Sequence, residues 1–332
     1  MNANIIEIIE ALVVFMLDVT IPQGSKKLRP EDLLANGIDI SKLPPAALST
    51  LGSKRFISPK ELAPFQALKR SAERLLIGSG TRFLKGYAVP EACADELNSA
   101  ILNLKKQFED KKDEFLAGYE TAIETWIGQN PPEWESMIRS AVDSPVKVAR
   151  SLSFGFAPIK IASPKQLAVD DSDHGNAGLE EQTNGLFGQL AHEIRIMAKM
   201  SYEESFVGKL SVSRKSLRPI SAIREKLSGL AFLDHSISEA IVSIDETLNK
   251  LPKSGLIEKT DLDMIAGLVG RRLANFGKAL HVEPQQEEVE EYEEDPAAYV
   301  DVEVVYDEID ASSIAHIPAF AAQEISALEW DF

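Results

Sequence analysis

The sequence predicts a mainly α protein: an α+β N-terminal part built from short strands and a long helical hairpin, then a helical bundle and an acidic C-terminal tail. Three observations carry this expectation. Apolar residues recur at three- and four-residue steps from Glu91 to Ile127, far longer than any strand. Four further helical stretches, Leu179 to Phe206, Leu217 to Leu227, Ser236 to Leu251 and Asp261 to Leu280, are joined by short loops, as in a bundle. The β-branched and alternating runs of the body lie within the first 161 residues.

In chain order, Asn4 to Leu12 suits a short amphipathic helix. Val13-Val14-Phe15-Met16-Leu17, with Val19 and Ile21, reads as a strand stopped by Pro22 and Gly24. From Leu28 to Lys60, Pro30, Gly37, Pro44-Pro45, Gly52 and Pro59 permit only turns and short anchors. Ser58-Pro59-Lys60-Glu61 then opens a helix expected to reach Ile77, with Ser58 at the N-cap, Pro59 at N1 and Glu61 at N3 of a capping box. Gly78-Ser79-Gly80 ends it, and Phe83 to Val89 forms a second strand before Pro90 starts the long helix.

Leu97, Ile101, Leu104, Phe108, Phe115, Ala122 and Trp126 form the apolar stripe of that helix, while Lys111 and Gly118 interrupt its seam. The interruptions favour a coiled-coil-like antiparallel hairpin within the chain over a parallel coiled coil. Asn130-Pro131-Pro132 supplies the reversal, and Glu133 to Val142 is the expected return helix, packing through Trp134, Met137 and Ile138. Ser151 to Ile161 alternates with period two and is a candidate to pair with the Val13 to Ile21 strand. By composition, residues 163–178 are a linker, so the expected domains are 1–162, a bundle at 179–282 and a tail at 283–332.

With 332 residues, 44% of them hydrophobic, the chain has material for about two folded units at about 150 residues each. Its net charge of −17 is segregated: residues 1–282 hold 35 Lys and Arg against 36 Asp and Glu, and residues 283–332 hold no basic residue against 16 acidic ones. Partner arguments from net charge therefore concern the tail. A single cysteine, Cys93, excludes an internal disulfide or a thiolate cluster and fits a reducing, cytoplasmic setting. The apolar run Ile5 to Ile21 is broken by Glu7, Glu10 and Asp18, so neither a membrane span nor an export signal is expected there.

Catalytic patterns are not assembled, and no catalytic, cofactor or metal residue is assigned. His192-Glu193 begins like a zincin helix, but Ile196 occupies the second ligand position, which leaves a polar pair on an amphipathic helix. Asp170, Asp171, Asp173 and His174 lack calcium-hand spacing. Gly78-Ser79-Gly80 has no Gly-Lys-Ser/Thr to hold phosphate, and Gly267-Leu268-Val269-Gly270 falls inside a predicted helix, where small residues permit close packing. Cys93 stands near a helix N-terminus, which would lower its pKa slightly.

Two charge features remain. Between Gln23 and Pro90 there are 12 basic residues against 5 acidic ones, with Lys26, Lys27, Arg29, Lys54, Arg55, Arg82 and Lys85 as candidates for a basic face. Interleaved Phe56, Phe83 and Tyr87 make it compatible with nucleic acid, and the plainer expectation is a solvated face open to docking of the acidic tail. The tail is the second feature: Tyr299, Tyr306, Phe320, Leu328, Trp330 and Phe332 are anchors that a purely solubilising segment has no use for.

The strings KKLRPEDL (Lys26 to Leu33), GSKR (Gly52 to Arg55), FLKGYAVPE (Phe83 to Glu91) and LSFGF (Leu152 to Phe156) together resemble the DUF3150-like family of proteobacterial, integrative-element and phage proteins, over about residues 10–161. The resemblance implies a multi-protein machine, because members are often encoded near a MoxR-type or cobaltochelatase-like AAA+ ATPase and a von Willebrand A-domain protein. It implies no activity and no site residues. The expected function is thus a non-catalytic adaptor of a mobile-element system, with a nucleic-acid-associated role, by a basic face or a DNA-mimicking tail, as the alternative.

Overall fold

In the computed structural model, which describes residues 3–34, 37, 39–45, 48–161 and 173–278, the run LVVFMLDVT forms β1 (Leu12–Thr20). It follows a short helix, α1 (Ala3–Glu10). β1 is an inner strand of a four-stranded antiparallel sheet in the order β4-β5-β1-β6, where β4 is Thr81–Phe83, β5 is Gly86–Pro90 and β6 is Ser153–Ile159. Its register sets Val13 opposite Val89 and Leu17 opposite Phe156. The pairing of the first and last N-terminal strands is as expected. The single strand expected at 83–89 is instead the hairpin β4–β5.

The alternation along β1 feeds two cores. Leu12, Val14 and Met16 point to one cluster, while Val13, Phe15, Leu17 and Val19 point to the other. Both faces of the sheet are therefore covered, which is why β1 is nearly all apolar. Against one face pack α3 (Pro59–Ser79), α4 (Glu91–Gly128) and α6 (Pro145–Ser151), through Leu76, Ile101, Phe108 and Val148. On the other lie α7 (Asp173–Ser205), α8 (Arg218–Gly229), α9 (His235–Lys250) and α10 (Lys259–Gly267), through Leu190, Ile194, Ile223, Ile244 and Ile265. Leu12, Val14, Phe83 and Ala88 share a core with residues 186–276, so buried contacts cross the boundary expected near 163–178. All described residues fall in one contact unit. Of the expected linker, residues 163–172 lie outside the described residues, and 173–178 already belong to α7.

Local chemistry explains the ends of the helices. The Ser58 hydroxyl caps α3 by accepting from the Lys60 N–H at 3.4 Å, one residue earlier than the expected capping box. α3 also runs two residues past Ile77, to Ser79. α4 spans 38 residues, about 57 Å at 1.5 Å per residue. Its aromatic seam meets α3, with Phe65 edge-on to Phe108 at 5.0 Å and to Phe115 at 5.7 Å. The return segment begins as a 3-10 turn (Pro132–Trp134) and yields only the seven-residue α5 (Glu135–Ala141), which buries Ile138 and Ala141.

The last predicted helix does not stay α-helical to Leu280. After α10 the chain makes a π-turn over Leu268–Arg272 and a 3-10 turn over Leu273–Asn275. Close packing, expected for the glycines of this segment, occurs at Gly270: a Cβ there would lie 2.7 Å from Cε2 of Tyr202 on α7. Two small ribbons complete the fold, β2 (Ser25–Lys27) with β3 (Ser53–Arg55), and β7 (Ser211–Val212) with β8 (Ile257–Glu258).

Candidate functional site

The basic segment divides into two groups. In the β2–β3 ribbon, Lys26 stands opposite Lys54, an arrangement unfavourable for two cations unless each is neutralised. Lys26 pairs with Asp143 at 2.8 Å, and Lys54 pairs with Asp32 at 2.6 Å while donating to the Ser140 hydroxyl at 3.0 Å. Asp32 belongs to α2 (Pro30–Leu34). Hydrogen bonds from Lys54 and from the Arg29 N–H hold the Asp32 carboxyl below the usual carboxylate range. Burial works against the charge on Asp143, yet hydrogen bonds from Lys147 and Lys26 prevail and its pKa is also lowered.

Lys54 is buried and Lys26 lies 5.7 Å from the buried Phe56 ring, so these cations fasten the ribbon to the helical layer. The carbonyl of half-buried Arg55 accepts from Trp126 Nε1 at 3.3 Å. Lys27 and Arg29 are exposed.

The second group lies on α3 and the β4–β5 hairpin. Arg70 and Arg74 are exposed one helical turn apart, with Arg74 turned back onto the Arg70 carbonyl and the Ser71 hydroxyl. Arg82, exposed on β4, covers the Tyr87 ring at 5.6 Å. The Tyr87 phenol is pushed to higher pKa, first by burial, with the Arg82 charge opposing that shift and the charges of Glu73 and Glu193 adding to it.

The hairpin turn is formed by Leu84 and Lys85 at φ +48° and +62°. Both positions of such a turn favour Asn or Gly, and a larger side chain there costs roughly 1–2 kcal/mol. Gly86 after the turn is required by packing, since a Cβ would lie 2.7 Å from the Phe15 carbonyl oxygen. Among the described residues none of Arg70, Arg74, Arg82 and Lys85 forms an ion pair. The interleaved aromatics Phe56, Phe83 and Tyr87 are all buried and offer no stacking face.

Beside this group is a buried ion pair that sequence reading missed. Glu193 of α7 receives the Lys226 ammonium of α8 at 2.7 Å, the Arg82 N–H at 3.1 Å and the Gln189 amide at 3.0 Å. Lys226 also donates to the Ile77 carbonyl at 2.6 Å, and its side chain is 0% exposed. Burial pushes the Lys226 pKa down, and Glu193 opposes that shift. The pair joins α3, β4, α7 and α8 and satisfies an outward-facing N–H of the edge strand β4. In the expected His192-Glu193 pair, His192 is exposed and Glu193 is internal.

Cys93 departs from expectation: its half-buried thiol is pushed up, by burial and by Glu96 one turn along α4, despite the nearby helix N-terminus. Among the described residues no three of His, Cys, Asp and Glu gather to hold a metal ion. Two surface hollows, of about 360 Å³ around Arg214 and Arg218 and about 410 Å³ around His235 and Arg272, are lined by none of Glu193, Lys226 and Cys93. The tail anchors Tyr299, Tyr306, Phe320, Leu328, Trp330 and Phe332 lie outside the described residues.

The family model for DUF3150, a protein of unknown function, matches residues 9–273. The chain belongs to the DUF3150 family. The DUF3150 match extends well beyond the stretch in which the family strings were read, and it covers the sheet and both helical layers. Two cores walled by one sheet make this the natural extent of a DUF3150 unit, since neither layer alone covers both faces of β1. The match stops before the acidic residues 283–332. The chain matches no curated protein and no solved structure. Among the described residues no helix is long and apolar enough to cross a membrane.

Proposed function

We propose that this DUF3150 protein is a non-catalytic, cytoplasmic adaptor in a bacterial mobile-element-type multi-protein system, working with a MoxR- or cobaltochelatase-like AAA+ ATPase and a von Willebrand A-domain protein. The observation that carries the reading is the division of charge. A near-neutral body is followed by residues 283–332, which hold 16 acidic residues, no basic one, and the aromatic anchors Tyr299, Tyr306, Phe320, Trp330 and Phe332. Like charges extend such a segment and apolar anchors give it something to bind with. The buried charged groups of the body, Glu193, Lys226 and Lys54, are occupied by structural partners, which supports a scaffold over an active centre.

The test is affinity purification from the native host of the intact chain and of a chain ending at residue 282. An ATPase recovered with the first and lost with the second supports the adaptor. Equal recovery of every partner with both removes the tail from the mechanism. A nucleic-acid-associated role is the second reading, favoured by the exposed Arg70, Arg74, Arg82 and Lys85, which form no ion pair among the described residues. It predicts oligonucleotide binding that weakens steeply with salt, or, for a DNA-mimicking tail, competition at a partner's DNA site.

A further inference from the structure

We propose that the outer edge of β6 is a dimer interface, pairing antiparallel with the same strand of a second copy of this chain. Among the described residues β6 ends the sheet and pairs only with β1. The register fixes which of its backbone groups point outward. The Phe15 carbonyl is turned to Gly86 of β5, and Phe15 stands opposite Pro158, so the backbone groups of Pro158 face away from β1. Gly155, by contrast, sits against the Asp18 carbonyl. Alternation then sends the N–H and C=O of Phe154 and Phe156 outward together with the Pro158 carbonyl. Among the described residues none of these groups has a hydrogen-bond partner.

The two edges of the sheet differ. β4 lies against α7, with its Arg82 N–H donating to Glu193, whereas Phe156 of β6 is half-buried and Ala157, Pro158 and Ile159 are exposed. Exposed edges are commonly guarded by charge, yet Ser151 to Ile159 holds none, and the flanking Lys160 is taken up by Glu91 at 2.7 Å. Pro158 blunts only the end of the strand. The same chemistry selects the occupant. β2 and β3 carry Lys26, Lys27, Lys54 and Arg55, and β7 and β8 are Ser211–Val212 and Ile257–Glu258, too short to match. Among the described strands, the edge that fits β6 in length and neutrality is therefore β6 itself. About a two-fold axis at Gly155, Phe154 of each copy meets Phe156 of the other, every outward N–H finds a carbonyl, and the assembly closes at two copies.

The pairing needs neither an ATPase nor nucleic acid, so its failure leaves the adaptor untouched. The intact chain is examined by sedimentation velocity from about 1 to about 100 μM, and should pass from monomer to dimer within that range. Amide hydrogen exchange, read residue by residue at both ends of the range, locates the contact. The Phe154 and Phe156 amides should exchange freely in the monomer and become protected in the dimer, while those of Gly155 and Ala157, bonded to β1, are protected in both. Two variants isolate the outward donor. Phe156→Ala and Phe156→Pro lose the same ring, but only proline removes the N–H, so the Ala variant should still dimerise and the Pro variant should do so at least about tenfold more weakly. If Phe156→Pro does not fold, the exchange measurement on the unaltered chain decides. A chain that stays monomeric at about 100 μM, a dimer whose Phe154 and Phe156 amides exchange as fast as in the monomer, or equal dimerisation of folded Ala and Pro variants would each overturn the interface.

Discussion

Replacing Lys226 with Met tests the buried pair of α7 and α8, whose ammonium also reaches the Ile77 carbonyl of α3 in the other helical layer. Met keeps most of the side-chain length and removes the ammonium, leaving Glu193 with only the Arg82 N–H and the Gln189 amide, and the Ile77 carbonyl without that donor. An uncompensated carboxylate of this kind costs about 3–5 kcal/mol. Glu193→Gln strands the buried ammonium instead and keeps an amide oxygen for the Arg82 N–H, so its cost should be of the same order. In Lys226→Met/Glu193→Leu the stranded charge is gone. What remains is two backbone groups without their partners, each costing about 1–3 kcal/mol, offset by better apolar packing.

The double variant should therefore be more stable than Lys226→Met alone, with a coupling energy above about 1 kcal/mol. Urea unfolding followed by far-ultraviolet circular dichroism measures this, with the slopes compared to confirm that the unfolded reference is unchanged. A cost below about 1 kcal/mol for Lys226→Met, or strictly additive losses in the cycle, would refute the assignment of Lys226 and Glu193 as a coupled buried pair.

Other consequences follow from packing and titration. Phe65→Ala removes the ring that meets both Phe108 and Phe115, and should cost about 3–5 kcal/mol in the same unfolding assay. Gly270→Ala forces a methyl group to within 2.7 Å of the Tyr202 ring and should cost about 1–3 kcal/mol, relieved in part by Tyr202→Leu. The Tyr119 phenol donates to the Asp143 carbonyl, and burial, followed by the Asp143 charge, raises its pKa from 10.0 to about 12. A raised folded-state pKa means stability that is complete below pH 10 and lost as pH climbs from about 10 to about 12. Tyr119→Phe should flatten that alkaline decline, read from melting temperatures across the window.

Much of the fold was legible because its signals are local. The three- and four-residue periodicity of α4, the Ser58-Pro59 start of α3 and the period-two run of β6 depend on near neighbours in sequence, and each element formed where those neighbours placed it. Boundaries were less legible. α7 begins at Asp173 although that stretch is polar, and α10 gives way to a π-turn where Gly270 meets Tyr202, a contact invisible along the chain.

The candidate site was legible only as composition. The basic count between Gln23 and Pro90 does not reveal that Asp143, over a hundred residues from Lys26, neutralises part of it, or that Phe83 and Tyr87 face inward. One signal was present for the buried pair. Glu193 follows Leu190 by three residues and Lys226 follows Ile223 by three, so both charges project onto the buried arcs of their helices. A charge at such a position reads the same whether it ends in water or against a partner.

By itself the sequence determined the type and order of the main elements, the DUF3150 resemblance and the confinement of excess acid to residues 283–332, because propensity, turn chemistry and charge are properties of short stretches. Tertiary structure alone decided that β1 separates two cores, that the ammonium of Lys226 meets a carbonyl 149 residues earlier, and that Asp143 neutralises Lys26 across the fold. Those outcomes depend on which distant faces bury one another, and that choice is made by the packing of the whole chain.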